Sequence, residues 1–308
     1  MLLKKIISTI KKKITSFLFS NFFIAVCAVA LCIEAALQQQ IPFNSLIFYV
    51  LIFSATKVFY TFAYTGEYFP NMQNRRAKWY AENNKIIIKS QYFFSAVMLA
   101  CIMFYATKYF NYLFKIPIWQ WLAEAAFAVI AILYYGVPFK KYHYINLRRT
   151  GWLKPFVIGF VWAGMVSFTP VLFNEVEQGK LYHFSMLNLL LFIKNFMYVS
   201  VLCILFDIKD YAADYNKKVK TFVVIHGLRK TIFYIIIPLC IIGFLCYVKF
   251  SISMNFTAIR IIFNCIPFIL LLIVAWSMKK RKPILYYLAV IDGLMLLKAL
   301  CGIAGMVL

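Results

Sequence analysis

Long apolar segments recur along the whole sequence and constrain its fold more than any other feature. A helix rises about 1.5 Å per residue, so about 20 apolar residues are enough to cross the hydrocarbon layer of a membrane. Most of the segments are close to that length, although the seventh is shorter and the fourth carries Glu124. There are nine of them, at residues 14–37, 43–66, 86–107, 116–136, 152–173, 184–206, 231–248, 257–277 and 284–304. The sequence therefore predicts an all-α membrane protein with nine transmembrane helices.

The charged residues are too few for a water-soluble domain. They make up 14% of the 308 residues, against about a quarter in soluble domains, while 64% of the chain is hydrophobic. The formal net charge of +23 suggests a nucleic-acid partner at first, but Lys and Arg stand in short clusters between apolar segments and not on a polar domain. Such clusters are typical of the cytoplasmic loops of membrane proteins. We therefore expect no nucleic acid as a partner.

The basic clusters also predict how the chain is oriented. They occupy the N-terminal tail and the loops after the second, fourth, sixth and eighth segments. Because an additional or missing span would break this alternation, the pattern predicts an N-in/C-out orientation. We expect one integral-membrane domain, residues 1–308, in the cell (cytoplasmic or inner) membrane, with residues 1–13 as a basic cytoplasmic tail. All eight Cys residues fall inside apolar segments without a C-x-x-C pair, so no disulfide or zinc site is predicted.

Three aspartates stand at the end of the sixth segment, where residues 206–214 are FDIKDYAAD. Asp207, Asp210 and Asp214 follow the spacing i, i+3, i+7 and fall on one face of a continuing helix. Their charges repel one another unless a cation lies among them. Mg²⁺ accepts one or two carboxylates and keeps its other positions for water and phosphate oxygens, so the pattern favours a metal–phosphate site. The alternative is a solvated helix end at which nearby lysines are the partners.

The same segment resembles the second aspartate-rich motif of the UbiA superfamily of intramembrane prenyltransferases. That motif, D-x-x-D-x-x-x-D followed by a basic stretch and K-T, matches the three aspartates together with Lys220 and Thr221, and Gly227 follows at the usual place. Other residues that look like the family lie upstream: 133–139 (LYYGVPF), Leu147, Arg148, Arg149, Lys154, Trp162 and Pro170. The resemblance implies a helical bundle around a central cavity, with functional cytoplasmic loops after the second and sixth helices.

The resemblance also implies a function, the transfer of a prenyl group from a polyprenyl diphosphate to a hydrophobic or aromatic acceptor at the cytoplasmic face. In the family, two aspartate-rich motifs hold Mg²⁺ against the diphosphate, and the metals and basic residues stabilise the leaving group. By that resemblance Asp207, Asp210 and Asp214 are the catalytic and metal-binding residues. The candidate phosphate contacts among the basic residues are Lys140, Arg148 and Lys220.

The first aspartate-rich motif of the family has no counterpart here. Residues 61–76, where it is expected, are TFAYTGEYFPNMQNRR and contain no aspartate. Glu67 and Asn71 are the remaining candidate oxygen ligands on this side of the substrate. Arg75 and Arg76 are either phosphate contacts, through their forked guanidinium groups, or topology anchors at the membrane face. The missing motif leaves a second function open, that of a non-catalytic UbiA-fold protein that binds a lipid or assists a partner.

Ionisable residues within spans are costly and usually face the protein interior. Lys57 and Asp292 each lie roughly 12–13 Å from the cytoplasmic end of their segments at the helical rise. Equal depth and opposite charge predict an ion pair between them, which is either structural or part of the cavity lining. Lys194, near the middle of the sixth segment, is expected to face the same cavity. Glu34, near the outer end of the first segment, is expected to reach the interface.

Overall fold

The computed structural model describes residues 2–62, 64, 75–135, 150–278 and 282–308, and every regular element in that part of the chain is a helix. The all-α class predicted from the sequence is therefore confirmed. The helices are α1 (Leu2–Phe19), α2 (Phe22–Gln38), α3 (Leu46–Phe62), α4 (Arg75–Glu82), α5 (Asn84–Lys108), α6 (Phe110–Leu113), α7 (Ile118–Tyr135), α8 (Lys154–Gln178), α9 (Met186–Asn216), α10 (Phe222–Ser253), α11 (Ala258–Ser277) and α12 (Ile284–Val307).

Six of these helices, namely α5 and α8 to α12, are long and apolar enough to cross a membrane. The bent pair made by α1 and α2 raises the number to seven if it forms a single span, and α3 and α7 are shorter apolar helices. The molecule is therefore an all-helical, multi-pass membrane protein. The first apolar segment of the sequence is divided between α1 and α2 and each of the others overlaps one helix, whereas the number of nine spans and their orientation stay predictions.

The predicted first span, residues 14–37, is divided between α1 and α2. The C-terminal part of α1 and the whole of α2 are bent by 62° across Ser20 and Asn21. Asn21 has a φ of 64°, in the left-handed region that Asn tolerates better than most residues. Of the predicted basic tail, residues 1–13, the part from Leu2 onward belongs to α1.

The described chain packs as two units, and the first contains α1, the start of α2, α3, α4 and α5. The two units are residues 1–29 with 44–110, and residues 30–43 with 111–308. In the first unit α3 packs along α5. Phe22, Phe53 and Phe94 join α2, α3 and α5, with ring centroids 5.7 to 6.0 Å apart. These aromatic contacts link the three helices within the unit.

In the second unit α9 lies between α8 and α10, while α11 packs along α12. A glycine allows the closest of these contacts. A Cβ on Gly159 of α8 would lie 2.2 Å from the Ser200 hydroxyl oxygen of α9, so a larger residue would force the two helices apart. Because α9 is covered on both sides, Lys194, Asn195 and Asp207 of this helix are buried in the interior of the unit.

Local sequence signals set the ends of the helices in the second unit. The Ser185 side chain accepts a hydrogen bond from the backbone N–H of Leu187 and so caps α9. Thr221 does the same for α10 through the N–H of Val224. Gly179 follows α8 with a φ of 65°, the left-handed conformation that commonly ends a helix.

Candidate functional site

The first candidate site lies at the C-terminal part of α9, where the three aspartates stand. The helix continues unbroken through Asp207, Asp210 and Asp214, as their spacing predicts. Asp207 is 1% exposed, and its Oδ1 accepts a hydrogen bond from Lys154 Nζ at 2.6 Å within an ion pair. Lys154 is the first residue of α8, so the packing of α8 on α9 brings the amine to the carboxylate. At Asp207, a lysine of the chain itself therefore provides the cation that the aspartate spacing requires.

The remaining carboxylate oxygens at this end of α9 are less well satisfied. The Oδ2 atoms of Asp207 and Asp214 are buried and accept no hydrogen bond from the described residues. Asp210 is more exposed, and its Oδ1 lies 3.1 Å from the amine of the adjacent Lys209. A buried acceptor without a donor carries a desolvation cost that an ion, a water molecule or a ligand can remove. The two Oδ2 atoms are therefore the positions at which a bound cation gains most.

The loop between α9 and α10 packs against the residues that precede α8. At the start of this loop, the backbone N–H of Val219 donates a hydrogen bond of 2.9 Å to the carbonyl oxygen of Asp214. A Cβ on Gly151 would lie 2.6 Å from the carbonyl carbon of Lys220 and 2.7 Å from the nitrogen of Thr221. The absence of a Cβ at Gly151 thus permits the approach of the K-T pair to the start of α8. The Lys220 side chain is exposed in this loop.

A metal ion at this position would need ligands beyond those of the protein. Within residues 2–62, 64, 75–135, 150–278 and 282–308, no three Asp, Glu, His or Cys side chains stand together so that they could hold a metal ion. Asp207 and Asp214 offer two oxygens, and Mg²⁺ commonly takes one or two carboxylates when water and phosphate oxygens complete its shell. Asp207 and Asp214 therefore each offer one such oxygen, whereas Mg²⁺ in company with a phosphate-bearing ligand stays a prediction.

Only some of the other predicted substrate-binding residues lie in the part of the chain that the structure describes. Arg75 is exposed at the start of α4. Four predicted residues lie outside the residues that the structure describes: Glu67, Asn71, Lys140 and Arg148. Their roles, and the two-sided metal site in which Glu67 and Asn71 would take part, stay predictions.

Arg76 has partners at the bend between α1 and α2. Its Nη2 and Nε donate to the Phe19 carbonyl at 2.9 and 3.2 Å, and Nη2 also donates to the side-chain oxygen of Asn21. The Tyr80 hydroxyl donates to the same carbonyl at 2.9 Å. Burial raises the pKa of Tyr80 to about 12, against the opposing effect of the Arg76 guanidinium, so the hydroxyl keeps its proton at physiological pH. These contacts hold the bend, whereas phosphate binding by Arg76 stays a prediction.

Lys57 is buried among aromatic rings of the first unit. Its Nζ donates to the Ser90 hydroxyl at 2.5 Å and lies 4.8 and 4.5 Å from the ring centroids of Phe22 and Phe94. A cation facing aromatic rings away from water is stabilised by their quadrupoles. The predicted partner, Asp292, belongs to α12 in the second unit, and the Lys57–Asp292 pair stays a prediction.

A buried polar cluster in the second unit was missed by the sequence analysis. Glu34 of α2, expected at the interface, is 1% exposed and lies in the interior of this unit. Its Oε2 accepts a hydrogen bond from Lys298 at 2.6 Å, and its Oε1 lies 3.4 Å from the amine of Lys194. Gln38 donates to Glu34 at 2.8 Å and to Asn264 at 2.7 Å. It also accepts a bond from Lys194 at 2.7 Å, and these five residues are called the Glu34 cluster below.

The Glu34 cluster ties four helices together and contains an excess of positive charge. It joins α2, α9, α11 and α12, and a Cβ on Gly302 would lie 2.5 Å from Glu34 Cγ, so glycine leaves the space for this side chain. Lys194 and Asp207 are both on α9, roughly 20 Å apart at the helical rise. The sequence signal for the cluster is the position of Glu34, Lys194 and Lys298 within apolar segments, because ionisable residues there usually face the interior.

Comparison with known proteins gave no relative, since no family model, no curated protein and no solved structure matches the chain. The class of the molecule is therefore defined by its fold and contacts alone. It is an all-helical, multi-pass membrane protein whose helix α9 carries Asp207, the partner of Lys154, towards one end and Lys194 of the Glu34 cluster nearer the other.

Proposed function

We propose that the chain is a UbiA-like membrane prenyltransferase with nine spans, oriented N-in/C-out in the cell membrane, that acts on a polyprenyl diphosphate at its cytoplasmic face. The observation that carries the proposal is the pair of buried carboxylate oxygens, on Asp207 and Asp214, that accept no hydrogen bond among the described residues. They lie in the part of the sequence that resembles the second aspartate-rich motif of the family.

The local charge supports a cation at these oxygens. Lys154 compensates one negative charge at Asp207, while Asp210 and Asp214 add two more at the same end of α9. Asp207 and Asp214 would hold Mg²⁺ through their Oδ2 atoms, and Asp210 is close enough to add its charge. When bound there, the ion supplies charge neutralisation for the diphosphate, which the carboxylates alone would repel.

The side chains of the protein itself orient the binding groups and balance part of their charge. The ion pair with Lys154 engages Oδ1 of Asp207 and leaves Oδ2 for a ligand. Lys220 is exposed in the adjacent loop, whose backbone is fixed against Gly151, and its long side chain can bring an ammonium to a phosphate oxygen. We therefore assign binding and orientation to Asp207, Asp214 and Lys220, and positioning of the Asp207 carboxylate to Lys154.

The reaction class follows from this arrangement of charges. In prenyl transfer, the bond between C1 of the prenyl chain and a diphosphate oxygen breaks, and both electrons of that bond leave with the diphosphate. The acceptor then forms a bond to C1 and releases a proton. Negative charge on the diphosphate grows as the bond breaks, so an ammonium such as that of Lys220 stabilises the transition state more than the bound substrate.

One observation favours a second candidate function. The 2.6 Å contact with Lys154 already gives Asp207 a counter-ion, so this carboxylate does not depend on a metal ion for its charge balance. A non-catalytic protein of this fold, one that binds a lipid or assists a partner, needs only this ion pair at Asp207 and no metal ion. The two candidates differ in whether a prenyl diphosphate binds in a Mg²⁺-dependent manner.

The test is a binding and turnover measurement on the full chain in lipid nanodiscs. Prenyl diphosphates of several chain lengths are offered with and without Mg²⁺, and both binding and release of diphosphate are measured. Asp207→Asn and Asp214→Asn are the test variants, and Glu82→Gln is the matched control because Glu82 is exposed and far from α9 in sequence. Asp214→Asn is the more informative variant, since the Lys154 contact is kept.

The proposal predicts Mg²⁺-dependent binding by the wild type and the control, together with a loss of at least tenfold in both test variants, the size of effect that the removal of a directly coordinating or charge-stabilising group produces. Binding that is equal in all variants and independent of Mg²⁺ contradicts the enzyme and favours the second candidate. Mg²⁺-dependent binding without diphosphate release, with every acceptor offered, identifies a protein that kept the site and lost the reaction.

A further inference from the structure

The first helix of the chain is amphipathic over its described side chains. Ile10, Ile14 and Phe17 follow the spacing i, i+4, i+7 on one face of α1 and are 51%, 54% and 43% exposed. Lys12 and Lys13 are also exposed in the same stretch. The rest of the α1 sequence is likewise made of apolar and basic residues, with Leu and Ile at positions 2, 3, 6 and 7 and Lys at 4, 5 and 11. An apolar face of this size with basic residues beside it requires a partner that is apolar and anionic at once.

The bend of 62° prevents α1 from continuing the direction of α2. It is held by the contacts of Arg76 and Tyr80 with the Phe19 carbonyl, the last carbonyl of α1. The Tyr80 ring is in turn stacked on the ring of Tyr64, with centroids 4.4 Å apart. Phe17 contacts the ring of Phe22 across the bend, at 6.5 Å between centroids. The direction of α1 relative to α2 is thus fixed by side chains of the first unit.

The position of α1 follows from what comes next in the chain. The apolar helix α2 begins at Phe22, two residues after α1 ends, so the C-terminus of α1 lies at the membrane boundary if α2 enters the bilayer there. A helix that leaves the axis of a span by 62° runs obliquely along the membrane surface. Its apolar face can then enter the region between headgroups and acyl chains while its lysines stay among the headgroups.

We infer that α1 is an interfacial helix that binds the anionic lipid headgroups of the membrane in which the protein is embedded. Charge complementarity selects the partner: the stretch 1–13 contains five lysines and no acidic residue, and anionic headgroups attract such clusters within about a Debye length of the surface. The inference is independent of the activity proposed at Asp207, because it uses only residues of α1, α4 and the bend.

The test measures amide hydrogen exchange of the full chain in nanodiscs. One set of discs contains phosphatidylcholine alone, and the other contains phosphatidylcholine with one third phosphatidylglycerol. The amides of residues 2–19 are expected to exchange more slowly in the anionic discs, on the order of tenfold, since each lysine contributes about a fivefold preference for an anionic surface. High salt is expected to remove the difference, because exposed charges are screened.

Two pairs of lysines provide the variant and its matched control. Lys12→Gln with Lys13→Gln is expected to reduce the lipid dependence, while Lys217→Gln with Lys218→Gln, equally exposed in the loop after α9, leaves it unchanged. Ile14→Gln removes apolar contact and not charge, so it is expected to speed exchange of α1 in both kinds of disc. The amides of α5 serve as the internal standard for correct folding.

Three results overturn the inference. The first is equal exchange of α1 in the two kinds of disc, the second a lipid dependence that Lys12→Gln with Lys13→Gln leaves unchanged, and the third a dependence that high salt does not alter. Protection of α1 in neither kind of disc, with protection appearing only after a cell extract is added, shows that the face is covered by a protein and not by lipid. Failure of this test leaves the proposed activity untouched, because the binding assay for prenyl diphosphate depends on different residues.

Discussion

The carboxylate of Glu34 holds two lysine ammonium groups, and its removal offers a sharp test of how the second unit is stabilised. Glu34→Gln keeps the shape of the side chain but leaves Lys194 and Lys298 as like charges in a buried site. At an effective dielectric constant of about 20, contacts of 2.6 and 3.4 Å correspond to roughly 6 and 5 kcal/mol of attraction before the cost of dehydration. After that cost, breaking a buried pair typically destabilises a protein by about 3–5 kcal/mol.

The loss is measured as a fall in melting temperature of the detergent-solubilised protein, followed by the fraction that stays monodisperse in size-exclusion chromatography after heating. About 3–5 kcal/mol corresponds to a fall on the order of 5–15 °C for a chain of this size. Glu82→Gln, at an exposed carboxylate, is the control and is expected to change the melting temperature by no more than about 1–2 °C.

A second variant makes the reasoning refutable. Lys298→Met removes one of the two ammonium groups and leaves Glu34 paired with Lys194, so the cluster becomes electrically neutral. Its expected cost is below that of Glu34→Gln, because the Glu34 carboxylate keeps the Lys194 ammonium as its counter-ion and no buried charge is left without an opposite one. Equal losses in the two variants, or no loss in Glu34→Gln, would show that charge does not govern the stability of the cluster.

Further predictions concern the contacts of α8, α9 and the bend. Lys154→Met leaves the Asp207 carboxylate buried without its cation and should cost about 3–5 kcal/mol, of which addition of Asp207→Asn should recover a part, as seen in the same melting assay. Gly159→Ala places a Cβ 2.2 Å from a side-chain oxygen of α9 and should cost about 1–3 kcal/mol, whereas Gly293→Ala, with nothing within 4 Å, should not destabilise. Arg76→Gln removes the donors that hold the end of α1 and should speed amide exchange at the bend without lowering the melting temperature of the spans.

The helices were predictable because the apolar segments are long and their ends carry recognisable residues. Ser185, Thr221 and Gly179 stand at helix ends for local reasons that a sequence displays. The spacing of Asp207 and Asp214 likewise predicted that α9 continues through the aspartates. The bend after α1 was not, since residues 14–37 form one apolar segment and only the left-handed backbone of a single asparagine breaks it.

The polar contacts were less predictable than the helices, since apolar segments give the depth of a residue along a span but not its rotation about the helix axis. Glu34 lies 160 and 264 residues from Lys194 and Lys298 in the chain, so no local pattern joins them. Lys154 and Asp207 are likewise paired by the packing of α8 on α9. The same limit explains why the sequence left a metal ion and nearby lysines as alternative partners of the aspartates and did not identify Lys154.

The central claim, that the aspartates at the end of α9 bind a prenyl diphosphate with Mg²⁺, is tested most directly by one titration. Prenyl diphosphate is titrated into the wild-type protein and into Asp214→Asn in nanodiscs, at saturating Mg²⁺ and after its removal by a chelator. The proposal predicts binding by the wild type that is lost with the chelator and weakened at least tenfold in Asp214→Asn. Identical binding curves in all four conditions, or no binding in any of them, would contradict it.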